Sequence, residues 1–93
     1  MNAERLKKTV NQLLEPLAGI EHERWSYWQR YMHSKCTAQT DGSLVIPAEL
    51  VRQWERQLAT SYCDLSESEK ESDREQVRKY LPIIVTALSE ASG

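Results

Sequence analysis

Residues Ile20 to Cys36 read IEHERWSYWQRYMHSKC, and this stretch decides the fold. It holds two of the three tryptophans, two of the four tyrosines and both histidines of the chain. Trp25, Trp28 and Met32 recur at spacings of three and four residues, which predicts an amphipathic helix. The remaining aromatic side chains fall on neighbouring faces of that helix. We therefore expect other helices to cover it on two sides.

The composition of the chain indicates one globular domain. Its 93 residues are 40% hydrophobic and 28% charged, which is enough for one modest core. Only three glycines are present, so the turns that an all-β fold requires are missing. The sequence predicts an all-α, compact single domain of four helices over residues 1–93. Trp25, Trp28 and Trp54 are expected in its core.

Apolar periodicity places the helices, and prolines place their breaks. Pro16 should kink or break the chain near Glu15, and Pro82 should kink the last helix or end its regular part. Between the second and third helices, Asp41-Gly42 is a turn signal followed by LVIP, so a short extended segment is expected there. The predicted helices lie near Ala3–Leu14, Leu17–Lys35, Pro47–Thr60 and Glu67–Leu88.

The last helix and the N-terminal helix carry further signals. Ser66 and Glu69 form a capping-box pattern, which should fix the start of the last helix. The N-terminal helix is amphipathic, and its apolar stripe can pack inside the chain or form a dimer seam. Because amphipathic helices at both ends exceed what one small core covers, we predict a homodimer or larger oligomer.

Charge and cysteine content limit the classes of partner and the cellular compartment that the sequence predicts. Residues Asp64 to Glu75 contain six acids and two bases, which argues against a nucleic-acid partner. No apolar run is long enough to span a membrane, and the first residues lack the apolar region of a signal peptide. Cys36 and Cys63 are too few for a disulfide scaffold, and the His/Cys spacing matches no metal motif. These observations predict a cytoplasmic protein without metal, cofactor or membrane partner.

Two blocks of the sequence resemble a known family. The segment YCDLSESEKESDREQ (Tyr62 to Gln76) follows an upstream HERW (His22 to Trp25). Together they are similar to the repeat domain of ryanodine receptors, which also occurs in small bacterial and phage proteins. The resemblance implies a helical module that senses or sequesters a nucleotide-derived small molecule. In a phage, such a protein would act on host signalling. The residues that match the family pattern are His22, Trp25, Tyr62, Leu65, Glu69, Lys70, Asp73 and Arg74.

The resemblance and the residue types together predict a ligand site between the second helix and the start of the last one. Trp25 or Tyr27 would stack on a base, and Arg24, Lys70 and Arg74 would contact phosphate. The same three basic side chains can equally form a solvated charged surface. The predicted ligand-binding residues are His22, Arg24, Trp25, Tyr27, Lys70, Asp73 and Arg74.

His22 and Asp73 allow two interpretations. They can read the edge of a bound base, or Asp73 can accept hydrogen bonds from His22 or Trp25 and clasp the two helices together. The sequence leaves both open.

Catalytic motifs are absent from the sequence. It has no phosphate-binding glycine loop, no nucleophile elbow and no third group to position a histidine, so we predict a protein without enzymatic activity. Two functions remain. One is the nucleotide-binding module, and the alternative is a protein-interaction or oligomerisation domain that uses the N-terminal helix and the acidic Asp64 to Glu75 surface. An enclosed hollow lined by Arg or Lys beside an aromatic would favour the first, and a flat apolar patch beside the acidic surface would favour the second.

Overall fold

The computed structural model describes residues 2–92 as a helical chain with one small hairpin. Met1 and Gly93, the end residues of the predicted domain, lie outside the described part. Helical character and the short extended segment agree with the sequence prediction. A short 3₁₀ turn spans Tyr62–Asp64. The other elements are α1 Ala3–Asn11, α2 Leu14–Lys35, β1 Thr37–Ala38, β2 Leu44–Val45, α3 Ala48–Leu58, α4 Glu67–Arg78 and α5 Leu81–Ser92.

Pro16 breaks the chain earlier than predicted. Its ring nitrogen has no hydrogen, so it cannot bond the carbonyl of Gln12, and its ring crowds that carbonyl. The turn between α1 and α2 accordingly lies next to Gln12, and α2 starts at Leu14. The predicted break near Glu15 and the predicted helix start at Leu17 are therefore wrong. Pro16 itself sits in the first helical turn, where a missing hydrogen has no cost.

Pro82 acts in the same way near the C-terminus. α4 ends at Arg78, four residues before the proline, and α5 begins at Leu81. The predicted interruption at Pro82 is confirmed as an end of the regular helix, and the predicted helix Glu67–Leu88 is two helices. The residues between them, Lys79 and Tyr80, form a turn whose backbone N–H groups bond the end of α4.

Side-chain caps begin two of the helices. The Asn2 side chain accepts a hydrogen bond from the Arg5 N–H at 2.8 Å at the start of α1. At the start of α4, the Ser66 hydroxyl accepts from the Glu69 N–H at 3.2 Å, and Glu69 accepts from the Ser66 N–H at 3.1 Å. This reciprocal pair is the predicted capping box.

The hairpin occupies the segment predicted to be extended. Its strands pair antiparallel, with Thr37 opposite Val45. The Asp41 carboxylate accepts hydrogen bonds from the Ser43 N–H at 2.9 Å and the Ser43 hydroxyl at 2.6 Å, which lowers the pKa of Asp41. Gly42 has φ +89°, a conformation that side chains disfavour, so the turn depends on glycine.

Burial is concentrated where α1 packs against α5, while α4 also contacts α5. Leu13, 8% exposed, and Thr9 are the buried residues there. They lie with Ala87 and Ala91 around a shallow hollow between the two helices. The small alanine side chains let the helices approach each other.

The rest of the chain is open. Its radius of gyration is 18.6 Å, against about 12 Å for a compact domain of this length. The predicted compactness is therefore wrong for a single chain. Trp25 is 59% exposed and Trp28 is 41% exposed, so the prediction that they lie in the core is also wrong. Trp54 is half-buried and packs its ring against Trp28.

Candidate functional site

Four of the predicted ligand-binding residues lie on exposed surface of α2. The rings of His22 and Trp25 stack with centroids 6.1 Å apart and an interplanar angle of 19°. Arg24 pairs with Glu21 at 3.2 Å, one turn earlier on the same helix. Tyr27 is 64% exposed. This group offers an aromatic surface, but its one guanidinium is already bound to a carboxylate.

The other three predicted residues lie on α4. Lys70 pairs with Glu67 at 3.7 Å, and Arg74 contacts both Glu67 and Glu71 at 3.3 Å. These carboxylates raise the pKa of Arg74. Asp73 is exposed. An anionic ligand at Arg74 would have to displace two carboxylates.

Tyr62 joins this second group and was missed as a site residue. The Lys70 ammonium lies 5.8 Å from the centroid of the Tyr62 ring, within cation–π range. Hydrogen bonding from Arg74 to Tyr62 also contributes to the raised pKa of that guanidinium. The 3₁₀ turn brings Tyr62 to α4. Its position in the family-like motif was the sequence signal that could have included it.

The structure does not bring the two groups together into one hollow. Among residues 2–92, no hydrogen bond joins Asp73 to His22 or Trp25, so the interpretation as a helix clasp is wrong for this structure. The hollows found on the described surface lie along α1, at its junction with α2, and between α1 and α5. None of the predicted ligand-binding residues lines them.

Glu69, rather than Asp73, connects α4 with another helix, and that helix is α3 rather than α2. Its carboxylate accepts hydrogen bonds from Gln57 at 2.6 Å and from Arg56 at 3.0 Å, besides its capping bond with Ser66. These donors, the Ser66 bond foremost, lower the pKa of Glu69 to about 2. The capping-box pattern identified Glu69 in the sequence, but nothing local could show its bonds to α3.

A second link joins α2 to the turn before α5. The Tyr80 hydroxyl donates a hydrogen bond to the Glu21 carboxylate, which raises the pKa of Tyr80. These two residues lie 59 positions apart in the chain, so no local pattern predicts the pair. Within residues 2–92, this hydrogen bond and the Trp28–Trp54 ring contact connect α2 to later elements.

A hollow on the described surface lies at the N-terminal end of α2 beside this link. It has a volume of about 610 Å³. Leu14, which is 69% exposed, is among the apolar side chains that line it. Only Asn11, Glu21 and the tyrosine hydroxyl bring polar atoms, so the hollow lacks the basic groups that phosphate requires. Its lining residues are Val10, Asn11, Leu14, Leu17, Ala18, Glu21 and Tyr80.

Exposed apolar area is the dominant feature of the surface. The accessible surface is 7357 Å², about 1,800 Å² more than the roughly 5,500 Å² expected of a compact monomer of this mass. α2, the longest helix at 22 residues, contains no buried residue. The exposed large apolar side chains on α2 include Trp25, Tyr27 and Trp28.

Within the described part of the chain, metal binding, disulfide pairing and membrane spanning have no structural basis. No group of three His, Cys, Asp or Glu side chains within residues 2–92 is placed to hold a metal ion. Cys36 and Cys63 are both free thiols. Over the same residues, every helix is too short or too polar to cross a bilayer.

Comparison of the chain with protein-family models, with curated proteins and with solved structures found no match. The resemblance to the ryanodine-receptor repeat domain thus depends on the HERW and EKESDR motifs alone and stays a prediction.

Proposed function

We propose that the protein is a non-enzymatic interaction domain whose open apolar surface is covered by another protein chain. The observation that carries this proposal is the exposed area, about 1,800 Å² above that of a compact monomer. Partner-facing surfaces are enriched in Trp, Tyr, Met and Arg. α2 carries all four residue types along its length.

The hydrophobic effect gives the physical reason. Exposed apolar area costs free energy at about 25 cal/mol per Å², so a chain that leaves side chains such as Leu14, Trp25 and Trp28 uncovered gains stability when a partner covers them. Few contacts hold α2 to the rest of the chain. They are a polar contact of Tyr80 with Glu21 and an edge-on aromatic contact of Trp28 with Trp54. They orient α2 without enclosing it, which leaves its apolar surface available to a partner.

Small-angle X-ray scattering combined with light scattering tests this function. We expect either an assembly heavier than the 10.8 kDa chain or an elongated monomer with a radius of gyration near 18.6 Å. A compact 10.8 kDa monomer with a radius of about 12 Å would contradict the proposal. In that case the chain would enclose its own apolar surface.

The nucleotide-binding function implied by the resemblance is a second proposal. The grouping of Tyr62, Lys70 and Arg74 favours it, because an aromatic ring and two cations converge there. Calorimetry against mono-, di- and cyclic nucleotides tests it. Arg74→Ala should weaken binding by about 1.5–3 kcal/mol, the range for a hydrogen bond to a charged group. Arg52→Ala, on α3, is the matched control. The absence of heat for every nucleotide would leave only the interaction domain.

A further inference from the structure

A repeating apolar stripe runs the length of α2 on one side. Its positions are separated alternately by four and three residues, the spacing of a coiled-coil seam over three heptads. The stripe contains two tryptophans, a leucine, an alanine and a methionine, with one acid and one base toward its ends. Its members are Leu14, Ala18, Glu21, Trp25, Trp28, Met32 and Lys35. We call these residues the α2 seam.

The chain itself leaves most of the α2 seam uncovered. Trp54 of α3 contacts the seam at Trp28, with ring centroids 5.5 Å apart. Tyr80 contacts it at Glu21. Between these two contacts Trp25 remains 59% exposed. A seam of this regularity is stable only when a second helix places its side chains into it.

The charges along α2 select how that second helix runs. The N-terminal half, Leu14 to Arg24, has three acids and one base, whereas the C-terminal half, Trp25 to Lys35, has two bases and no acid. An antiparallel copy of α2 that overlaps residues 21–35 sets Glu21, in the acidic half of each helix, opposite Lys35, in the basic half of the other. A parallel copy would set like charges together, which is unfavourable.

We infer that two copies of this chain pair through their α2 seams in an antiparallel, two-fold symmetric dimer. The inference rests on the proposed interaction function and names the partner as a second copy. With the seam positions in register, Trp28 of each copy lies at the two-fold axis, and Trp25 lies opposite Met32. Glu21 then lies opposite Lys35 of the other copy, twice per dimer because of the symmetry.

The area agrees with a dimer of this kind. Each chain exposes about 1,800 Å² beyond a compact monomer, so two chains can bury about 3,600 Å² between them. Permanent homodimers bury about 2,000 to 5,000 Å² in total. Central tryptophans surrounded by polar residues are also the usual arrangement of the side chains that contribute most to binding.

A charge swap tests the pairing. Glu21→Lys alone and Lys35→Glu alone each place like charges opposite each other twice, so each should weaken the dimer about tenfold or more. The double variant E21K/K35E restores opposite charges and should recover the wild-type dissociation constant to within about threefold. Sedimentation equilibrium measures the constants, with a wild-type mass of twice 10.8 kDa.

The rescue distinguishes contact between copies from damage within one chain. Glu21 also contacts Arg24 and Tyr80, so its substitution alone disturbs local contacts. Lys35 is about 21 Å farther along the same helix and cannot repair them. The control E23K/R30E makes the same exchange on the opposite side of α2, and it should leave the dimer unchanged.

Each other outcome overturns the inference at a known level. Single variants that dimerise with the same dissociation constant as the wild type would rule out the antiparallel register. An elongated monomer with a radius near 18.6 Å would rule out the second copy but leave the interaction function, with a different protein as partner. A compact monomer with a radius of about 12 Å would overturn both.

Discussion

Single residues with several partners orient the elements of this chain. Glu69 accepts hydrogen bonds from its own helix cap at Ser66 and from Arg56 and Gln57 of α3. Glu21 similarly connects α2 with Tyr80 and with Arg24. Both are carboxylates with two oxygens that can serve different donors at once. The sequence identified Glu69 through its capping spacing, whereas the role of Glu21 depends on distant Tyr80.

Acid should weaken the fold through Glu69. Its pKa is about 2 in the folded chain against an ordinary value of 4.5, so the charged form is favoured by folding. That stability is fully present above about pH 4.5 and is lost as the pH falls toward 2. Glu69→Gln should show a smaller fall of the melting temperature over this range, measured by circular dichroism. Glu75→Gln, farther along α4, is the control, and identical curves for Glu69→Gln and wild type would contradict the prediction.

Elements of the chain follow local rules closely. Pro16, between two predicted helices, and Pro82, inside one, each follow a helix break by a few residues and lie in the first turn of the next helix. The Asp41-Gly42 signal forms the hairpin turn. The boundary errors of the sequence prediction arise because the lost hydrogen bond of a proline affects the carbonyl four residues earlier. The break therefore precedes the proline that causes it.

Two glycine substitutions should change stability in opposite directions. Gly19 lies within α2 with open space around a built Cβ, so Gly19→Ala should stabilise the fold by about 1 kcal/mol. Gly42 has equal space but φ +89°, so Gly42→Ala should destabilise it by about 1–2 kcal/mol. Denaturant unfolding followed by circular dichroism compares the two. A shift of the same sign in both variants would show that backbone conformation does not determine the effect.

The shape of the whole molecule leaves α2 largely exposed. The buried residues of the described chain, Leu13 and Thr9, lie at the contact of α1 with α5, away from the aromatic residues of α2. The extents of 57 × 34 × 17 Å describe an elongated body with little interior. Such a chain can gain a substantial core only by association. This need for association is the physical basis of the proposed interaction function and of the proposed dimer.

The dimer should make thermal stability depend on concentration. For two folded copies in equilibrium with unfolded chains, a tenfold rise in concentration adds about 1.4 kcal/mol. The melting temperature should then rise by roughly 3–5 °C per tenfold. Differential scanning fluorimetry over two decades of concentration measures this. The Glu21→Lys variant should show a smaller dependence, and a constant wild-type melting temperature would exclude a dimer as the folded unit.

The sequence by itself determined the helical class, the capping box at Ser66, the turn at Gly42 and the existence of two proline breaks. These features depend on neighbours within a few residues, which a linear pattern records. Only the tertiary structure decided that Trp25 is exposed, that Asp73 makes no bond to His22, and that Glu21 bonds Tyr80. Burial and long-range pairing depend on which elements meet in space, and periodicity marks an apolar face without naming its partner. The same stripe on α2 would face a core in a compact chain, whereas in this chain most of it is exposed to solvent.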